Sequence, residues 1–347
     1  MFSHKDAYTK DIQAVASGSL DWSRLDGHSV LIVGATGMIG TVMVDVLMFR
    51  NAAFSAGIQV WVMSRSEGSL KKRFGEYLEN PDFHYVLGDV NSPLPQLGKM
   101  DYVFHCASNT HPRAYATDPV GTITTNVIGT KNILDFAREA QATRVVFLSS
   151  VEIYGENNTG KEKFSEQDFG YIDCNTLRAG YPEGKRVGEA LCQAYMEAYG
   201  MDVVIPRICR VYGPTMLESD SKALAQFIRN AANGQDIVLK SDGMQFYSYC
   251  YVTDVVSALL TILLRGEKGV AYNIADSRSD VHLRELAGIL AELARTQVVF
   301  QVSDAVEAKG YSKATKAVLD ASRLRELGWQ PINDIHSGLK KTLACMK

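Results

Sequence analysis

Short apolar runs alternate with longer helical stretches along most of the chain. A glycine-rich turn joins the first run to the first helix, and no repeat, low-complexity tract or linker intervenes. Together these predict an α/β fold of Rossmann type, a doubly wound parallel sheet with a smaller C-terminal substrate lobe over its carboxyl edge. The predicted division has an N-terminal extension at 1–26 and a dinucleotide-binding domain at 27–207, rejoined by part of 237–275. The substrate lobe takes 208–236 and 276–347.

The strand candidates, in order, are SVLIV (29–33), QVWVM (59–63), FHYVL (83–87), YVFHC (102–106), RVVFLSS (144–150) and DVVIPR (202–207). Each is short, apolar and rich in β-branched or aromatic residues, as strands buried on both faces are. Between them the periodicity lengthens to that of helices in MIGTVMVDVLMF, TNVIGTKNILDFAREA and KRVGEALCQAYMEAYG, the last ending on a glycine. Beyond about residue 207 the pattern loosens into YGPTMLESDS and DGMQFYSYCY before a closing helix, HLRELAGILAELAR. The first 26 residues include an amphipathic DAYTKDIQAV, read as packing or dimer contact.

Composition excludes several classes of function. The chain is 46% hydrophobic and 22% charged, with net charge −3 and both signs interspersed, so no basic stripe suits nucleic acid and no polybasic segment suits an anionic membrane. Six cysteines without a CxxC pair, and an N-terminus lacking an apolar leader core, fit reduced thiols in a cytoplasm. No metal-ligand cluster stands out. The run VVSALLTILL is too short to span a bilayer and reads as a buried helix.

GATGMIG places Gly34, Gly37 and Gly40 after the first strand and at the head of a helix, with Thr36, Met38 and Ile39 in the same turn. The first glycine turns the chain, the second lets backbone approach a pyrophosphate, and the helix N-terminus supplies N–H donors and a favourable dipole. Asp89 and Val90, in GDV after the third strand, put an acid where it can accept from an adenine amino group; Ala107 and Ser108, in HCAS after the fourth, leave room for a cofactor. At the end of the second strand, Ser64-Arg65 stands where an acid for a ribose diol is usual, and Arg65 could instead meet a 2′-phosphate, stack on adenine or sit in solvent. NAD and NADP both remain open.

Tyr181 and Lys185, four apart in YPEGK, share one helical face, where an ammonium can lower a phenol's pKa and make it a base near neutral pH. Ser150, ending the fifth strand, would polarise the same reacting oxygen. Glu152 follows in LSSVEIYG, an acid beside a hydroxyl just past an apolar strand. It either serves the chemistry or forms a salt bridge to an arginine at the lobe interface.

From His28 to the C-terminus the chain resembles the extended short-chain dehydrogenase/reductases, in particular the nucleotide-sugar epimerases, dehydratases and decarboxylases. GATGMIG, THPRAYATDPVGTITTNVIGT, SSVEIYG, YPEGKR, RVYGP, YVTD and LGWQP follow that family's order. The resemblance implies a tightly held nicotinamide cofactor that oxidises the fourth carbon of a nucleoside-diphosphate sugar and later reduces it. Tyr181 would be the base, Lys185 would bind ribose, Ser150 would assist, and Asn126 would support Lys185. It also implies a homodimer through a four-helix interface. Substrate contacts are expected from Thr110, Arg178 and Tyr247, and from Arg210 and Lys316 if the charge that relatives carry at position 247 has moved to 210.

Within that family, an acid at Glu152 and the stretch RAGYPEGKR resemble UDP-glucuronate decarboxylases, and the acid resembles 4,6-dehydratases too. Three residues depart from the pattern. Val151 replaces the dehydratase Asp or decarboxylase Ser, Arg210 stands where relatives have Asn, and Tyr247 stands where many have a phosphate-binding Arg. The implied reaction passes through a 4-keto sugar toward decarboxylation or dehydration. The alternatives are 4-epimerisation, an NADP-dependent keto-sugar reductase, and a catalytically silent NAD-binding regulator.

Overall fold

A computed structural model describes residues 5–110, 112–301 and 314–346. Its central sheet contains β1 (Ser29–Val33), β2 (Gln59–Ser64), β3 (Phe83–Leu87), β4 (Tyr102–His105), β5 (Arg144–Phe147), β6 (Ser149–Ser150) and β7 (Val203–Ile208). The chain then supplies β8 (Arg210–Tyr212), β9 (Ile237–Leu239), β10 (Phe246–Tyr251), β11 (Ala271–Ile274), β12 (Asp280–His282), β13 (Val298–Phe300) and β14 (Lys316–Ala317). The eight-stranded sheet runs β11-β7-β5-β4-β1-β2-β3, with β6 paired to β7. Every pairing in it is parallel.

Order reverses between β1 and β4. In an open parallel sheet, that reversal opens a crevice at the carboxyl ends of the strands. A smaller sheet, β12-β10-β14 with β8 on β10, and a β13-β9 pair build the wall above that edge.

The helices are α1 (Asp6–Ala16), α2 (Met38–Phe54), α3 (Glu67–Phe74), α4 (Pro112–Thr117), α5 (Pro119–Glu139), α6 (Gly180–Tyr199), α7 (Ala223–Ala232), α8 (Val252–Arg265) and α9 (Leu283–Ala294), followed by a short helix at Ser322–Glu326 and a C-terminal helix at Ile335–Met346. Strand alternation divides the core between the two faces of the sheet. Val30 and Ile32 join the cluster under α2 and α8, while Leu31 and Val33 join the one under α5 and α6. No helix among the described residues is long and apolar enough to cross a membrane.

Several boundaries differ from the sequence reading: α6 begins at Gly180 and not at Lys185, and α2 runs on from Phe49 to Phe54. The helix expected from Thr125 begins at Pro119, because Asp118 accepts from the Gly121 N–H as N-cap and a proline occupies the first turn. The 144–150 run splits into β5 and β6, the second piece pairing with β7 as Ser149↔Arg207 and Ser150↔Ile208. The N-terminal helix is integral to the fold: Tyr8 donates to Asp45 Oδ2 at 2.5 Å, and Asp11 accepts from Tyr251 at 3.0 Å and from Lys341 at 2.5 Å.

Candidate active site

Because the sheet strands are parallel, the ends of β1, β2, β4 and β6 deliver Gly34, Ser64, Ala107 and Ser150 to one edge. A cavity of about 460 Å³ opens there. Its walls include the Gly34–Gly40 turn, Ser150, Tyr181 and Arg210, and the apolar side chains Leu224, Phe227, Val238 and Leu283.

The glycine turn fits a dinucleotide. Gly34 has φ +86°, and a Cβ there would meet the Ala107 nitrogen at 2.7 Å; one on Gly40 would meet the Ala35 Cα at 2.6 Å. Gly37 caps α2 without a side chain, so the first N–H groups of a 17-residue helix face the turn with no side-chain acceptor.

Thr110, Met38, Ile39 and Ser108 line the same cavity. Asp89 caps its own turn, accepting from the Asn91 backbone at 2.9 Å, and Arg65 is exposed beyond β2. Thr36 lies in the glycine turn, and the Ser64 hydroxyl is shared with Ser66 at 3.3 Å. The Val90 side chain packs where Gly129 leaves room on α5, and its carbonyl accepts from Asn132 at 2.8 Å.

The reacting groups meet where β6 and α6 converge. Ser150 Oγ accepts from the Glu152 N–H at 3.2 Å, capping a short 3-10 turn and leaving its own proton free to donate. Burial pushes the Tyr181 phenol up to about 12, with a hydrogen bond to Ser150 acting in the opposite direction. Lys185 donates to the Leu148 carbonyl at 2.8 Å, and burial pulls its ammonium down to about 8. The expected lowering of Tyr181 by Lys185 is therefore corrected: desolvation dominates, and the ammonium is drawn to the end of β5. Asn126 does not bond Lys185 either. Its amide bridges Thr122 and Ser108 at 2.8 and 3.0 Å, and Gly184 packs against its Cβ.

Glu152 is clamped. Arg178 Nη2 donates to Oε2 at 2.6 Å and Arg210 Nη2 lies 3.6 Å from Oε1. Burial alone would raise its pKa, but the two guanidinium groups outweigh it and hold the carboxylate below its ordinary range. The arginines retain spare capacity: Arg178 Nε and Nη1 and Arg210 Nη1 are buried without acceptors. Arg210 stacks 3.4 Å above the Tyr247 ring, whose hydroxyl donates to the Ala314 carbonyl at 2.7 Å.

Lys316 is corrected from the substrate set. It pairs with Phe246 in β14, off the Tyr247 position, and does not line the cavity. The sequence reading missed Tyr115, which stacks on Tyr181 at 5.1 Å and carries Arg178 over its ring at 4.8 Å. Its signal was an aromatic in the quoted stretch THPRAYATDP.

Comparison with known proteins agrees with this geometry. The family described as the NAD dependent epimerase/dehydratase family matches residues 30–275. UDP-glucuronic acid decarboxylase 6 of Arabidopsis thaliana is 32% identical over 89% of this chain and 86% of its own. UDP-glucuronic acid decarboxylase 1 of Xenopus tropicalis is 29% identical over 92% and 72%. Among solved structures, dTDP-glucose 4,6-dehydratase from Streptomyces venezuelae with NAD bound superposes with TM-score 0.76 at 25% identity, covering 91% of this chain and 96% of that one. An epimerase from Methanothermobacter thermautotrophicus shares the fold with TM-score 0.79 at 23% identity, over 96% and 95%.

Proposed function

The chain belongs to the NAD dependent epimerase/dehydratase family, and from that premise we propose that it decarboxylates a nucleoside-diphosphate hexuronic acid, of which UDP-glucuronate is the first candidate. The cofactor is NAD, and the Gly34–Gly40 turn and Lys185 are the groups that would hold it. When bound, NAD accepts the sugar's C4 hydrogen with its electron pair and later returns it.

Tyr181, as the phenolate that the positive ring of a bound NAD and the Lys185 ammonium would favour against burial, takes the C4 hydroxyl proton while Ser150 hydrogen-bonds the same oxygen. The resulting 4-ketone lies β to the C6 carboxylate. The C5–C6 bond then breaks, carbon dioxide leaves, and the electron pair passes to the ketone oxygen. A proton added at C5 restores the ketone, and Tyr181 returns its proton to O4 as C4 is reduced. Lys185, charged at neutral pH and with one of its three N–H groups on Leu148, has donors left for ribose hydroxyls.

The observation that carries this reading is the state of Glu152. Elimination of water from a 4-keto sugar needs a base for the C5 proton, and a carboxylate held low by two arginines is a poor one. Loss of carbon dioxide from a β-keto acid needs no base. Holding a hexuronate's carboxylate in the cavity calls for a cation beside the reacting centre, and the Arg178 guanidinium, stacked on Tyr115 next to Tyr181, is placed to be one. The decarboxylases among the relatives support the same choice.

We also propose that α5 and α6 pair with their copies in a homodimer. They pack side by side and expose Ile123, Ile128 and Val187 at 44%, 44% and 41%. Tyr195 is buried instead, donating to Asp135 at 2.7 Å.

The test is incubation of the NAD-loaded protein with UDP-, dTDP-, GDP- and CDP-sugars, read by mass spectrometry. Loss of carbon dioxide from a hexuronate is expected. Loss of water from a neutral hexose would give the chain to the dehydratases.

A further inference from the structure

Arg178 and Arg210 share Glu152, yet they occupy different depths of the cavity. Arg178 lies on the short turn before α6 and stacks on Tyr115, which itself stacks on Tyr181. Arg178 lines the cavity, so its guanidinium stands beside the reacting end of a bound sugar. Arg210 lies on β8, paired to Tyr249 of β10, with the Tyr247 ring fixing one face of its guanidinium. It lines the same cavity as Tyr181 and the apolar side chains Leu224, Phe227, Val238 and Leu283. A sugar nucleotide with C4 at Tyr181 and its base among those apolar residues must pass its diphosphate by Arg210.

Both arginines hold buried N–H groups without acceptors, three in all: Arg178 Nε, Arg178 Nη1 and Arg210 Nη1. Buried donors of this kind are normally satisfied, and a planar guanidinium suits carboxylate and phosphate oxygens. With Glu152 neutralising one of the two charges, the trio keeps one net positive charge for a ligand carrying more than one negative group.

We propose that the two arginines divide the substrate's anions between them: Arg210 reads the diphosphate and Arg178 reads a carboxylate on the sugar. Arg178 is then the specificity-determining residue that separates a hexuronate from a neutral hexose, and Arg210 serves any nucleoside-diphosphate sugar. The assignment to Arg178 rests on the decarboxylase reading; that to Arg210 does not.

Calorimetric titration of the NAD-loaded protein with UDP, UDP-glucose and UDP-glucuronate tests it in wild type, Arg178→Gln and Arg210→Gln. A charge-assisted contact corresponds to at least about tenfold in affinity. Arg210→Gln is expected to weaken all three ligands by about that factor. Arg178→Gln is expected to weaken UDP-glucuronate alone, erasing the wild-type preference over UDP-glucose. The NAD affinity of each variant reports whether it is folded, and Arg→Lys variants, which keep the charge but lose the fork, stand in for any that is not.

Unchanged UDP affinity in Arg210→Gln, equal losses for UDP and UDP-glucuronate in Arg178→Gln, or no UDP binding by wild type would overturn the division. If wild type binds UDP-glucose and UDP-glucuronate equally, the carboxylate reading fails on its own, whatever Arg210→Gln does to UDP.

Discussion

Replacing Glu152 with Gln removes the one negative charge between two guanidinium groups while keeping the side chain's shape. At 2.6 and 3.6 Å and an effective dielectric near 20, the gross attractions to Arg178 and Arg210 are about 6 and about 5 kcal/mol. Desolvation of three ions cancels most of this. What Glu152→Gln reveals is therefore the cost of two arginines left facing each other, about 3–5 kcal/mol for a fully buried pair. The three side chains are 14% to 20% exposed, so partial screening brings the expected loss to about 2–3 kcal/mol.

Urea denaturation of the NAD-loaded protein at neutral pH measures that loss. Saturating UDP-glucuronate should narrow the gap between variant and wild type, because the ligand's anions take over the role of the carboxylate. A change below about 0.5 kcal/mol would mean that the clamp is not what orders the arginines. The same variant separates positioning from proton transfer. General acid–base groups contribute about 10²–10⁴ in rate, so a loss of turnover beyond about 10² with cofactor reduction intact would return Glu152 to the role of base.

Tyr181→Phe should abolish turnover while leaving NAD and UDP affinities near wild type, since it removes the proton acceptor only; a substantial residual rate would remove Tyr181 from that role. Turnover should fall as pH rises through about 8, where the buried Lys185 loses the proton it would otherwise keep to above 10; a rate flat to pH 10 would contradict its charged role. Asp45 offers a stability test: burial raises its carboxyl from 3.8 to about 7, against the opposing hydrogen bonds of Tyr8 and Tyr77. The fold then holds a proton that the unfolded chain releases, so this contribution is complete below about pH 4 and is lost as pH rises through 7. Asp45→Asn should flatten that difference between pH 5 and pH 8 in urea denaturation, and an unchanged difference would place its origin elsewhere. Light scattering at micromolar concentration should show a dimer, reduced toward monomer by Val187→Glu on the exposed face of α6; a wild-type monomer would refute the pairing.

What was legible in the sequence is what local spacing encodes. The glycine turn, the Tyr181–Lys185 step and the strand-end Ser150 each depend on a few neighbouring residues, and their geometry follows from strand and helix periods. The ion pairs of Glu152 are not of that kind. Arg178 lies on the short turn before α6 and Arg210 on β8, which only the folded edge of the sheet brings to it, so the choice between a catalytic acid and a salt bridge waited on tertiary structure. Pairwise spacing also misjudged Tyr181: helical proximity to a lysine suggests a lowered phenol, whereas the depth of burial and the Leu148 carbonyl, neither visible in YPEGK, decide the outcome. Lys316 failed for a simpler reason, since a one-residue step along a strand reverses the face on which a side chain stands.

The measurement that bears most directly on the central claim is the fate of UDP-glucuronate labelled with ¹³C at C6, incubated with the NAD-loaded protein in deuterated water. The account predicts labelled carbon dioxide, a UDP-pentose with deuterium at C5 and none at C4, and no net reduction of NAD. Recovery of a six-carbon product with the label retained, whether epimerised at C4 or unchanged, would contradict it.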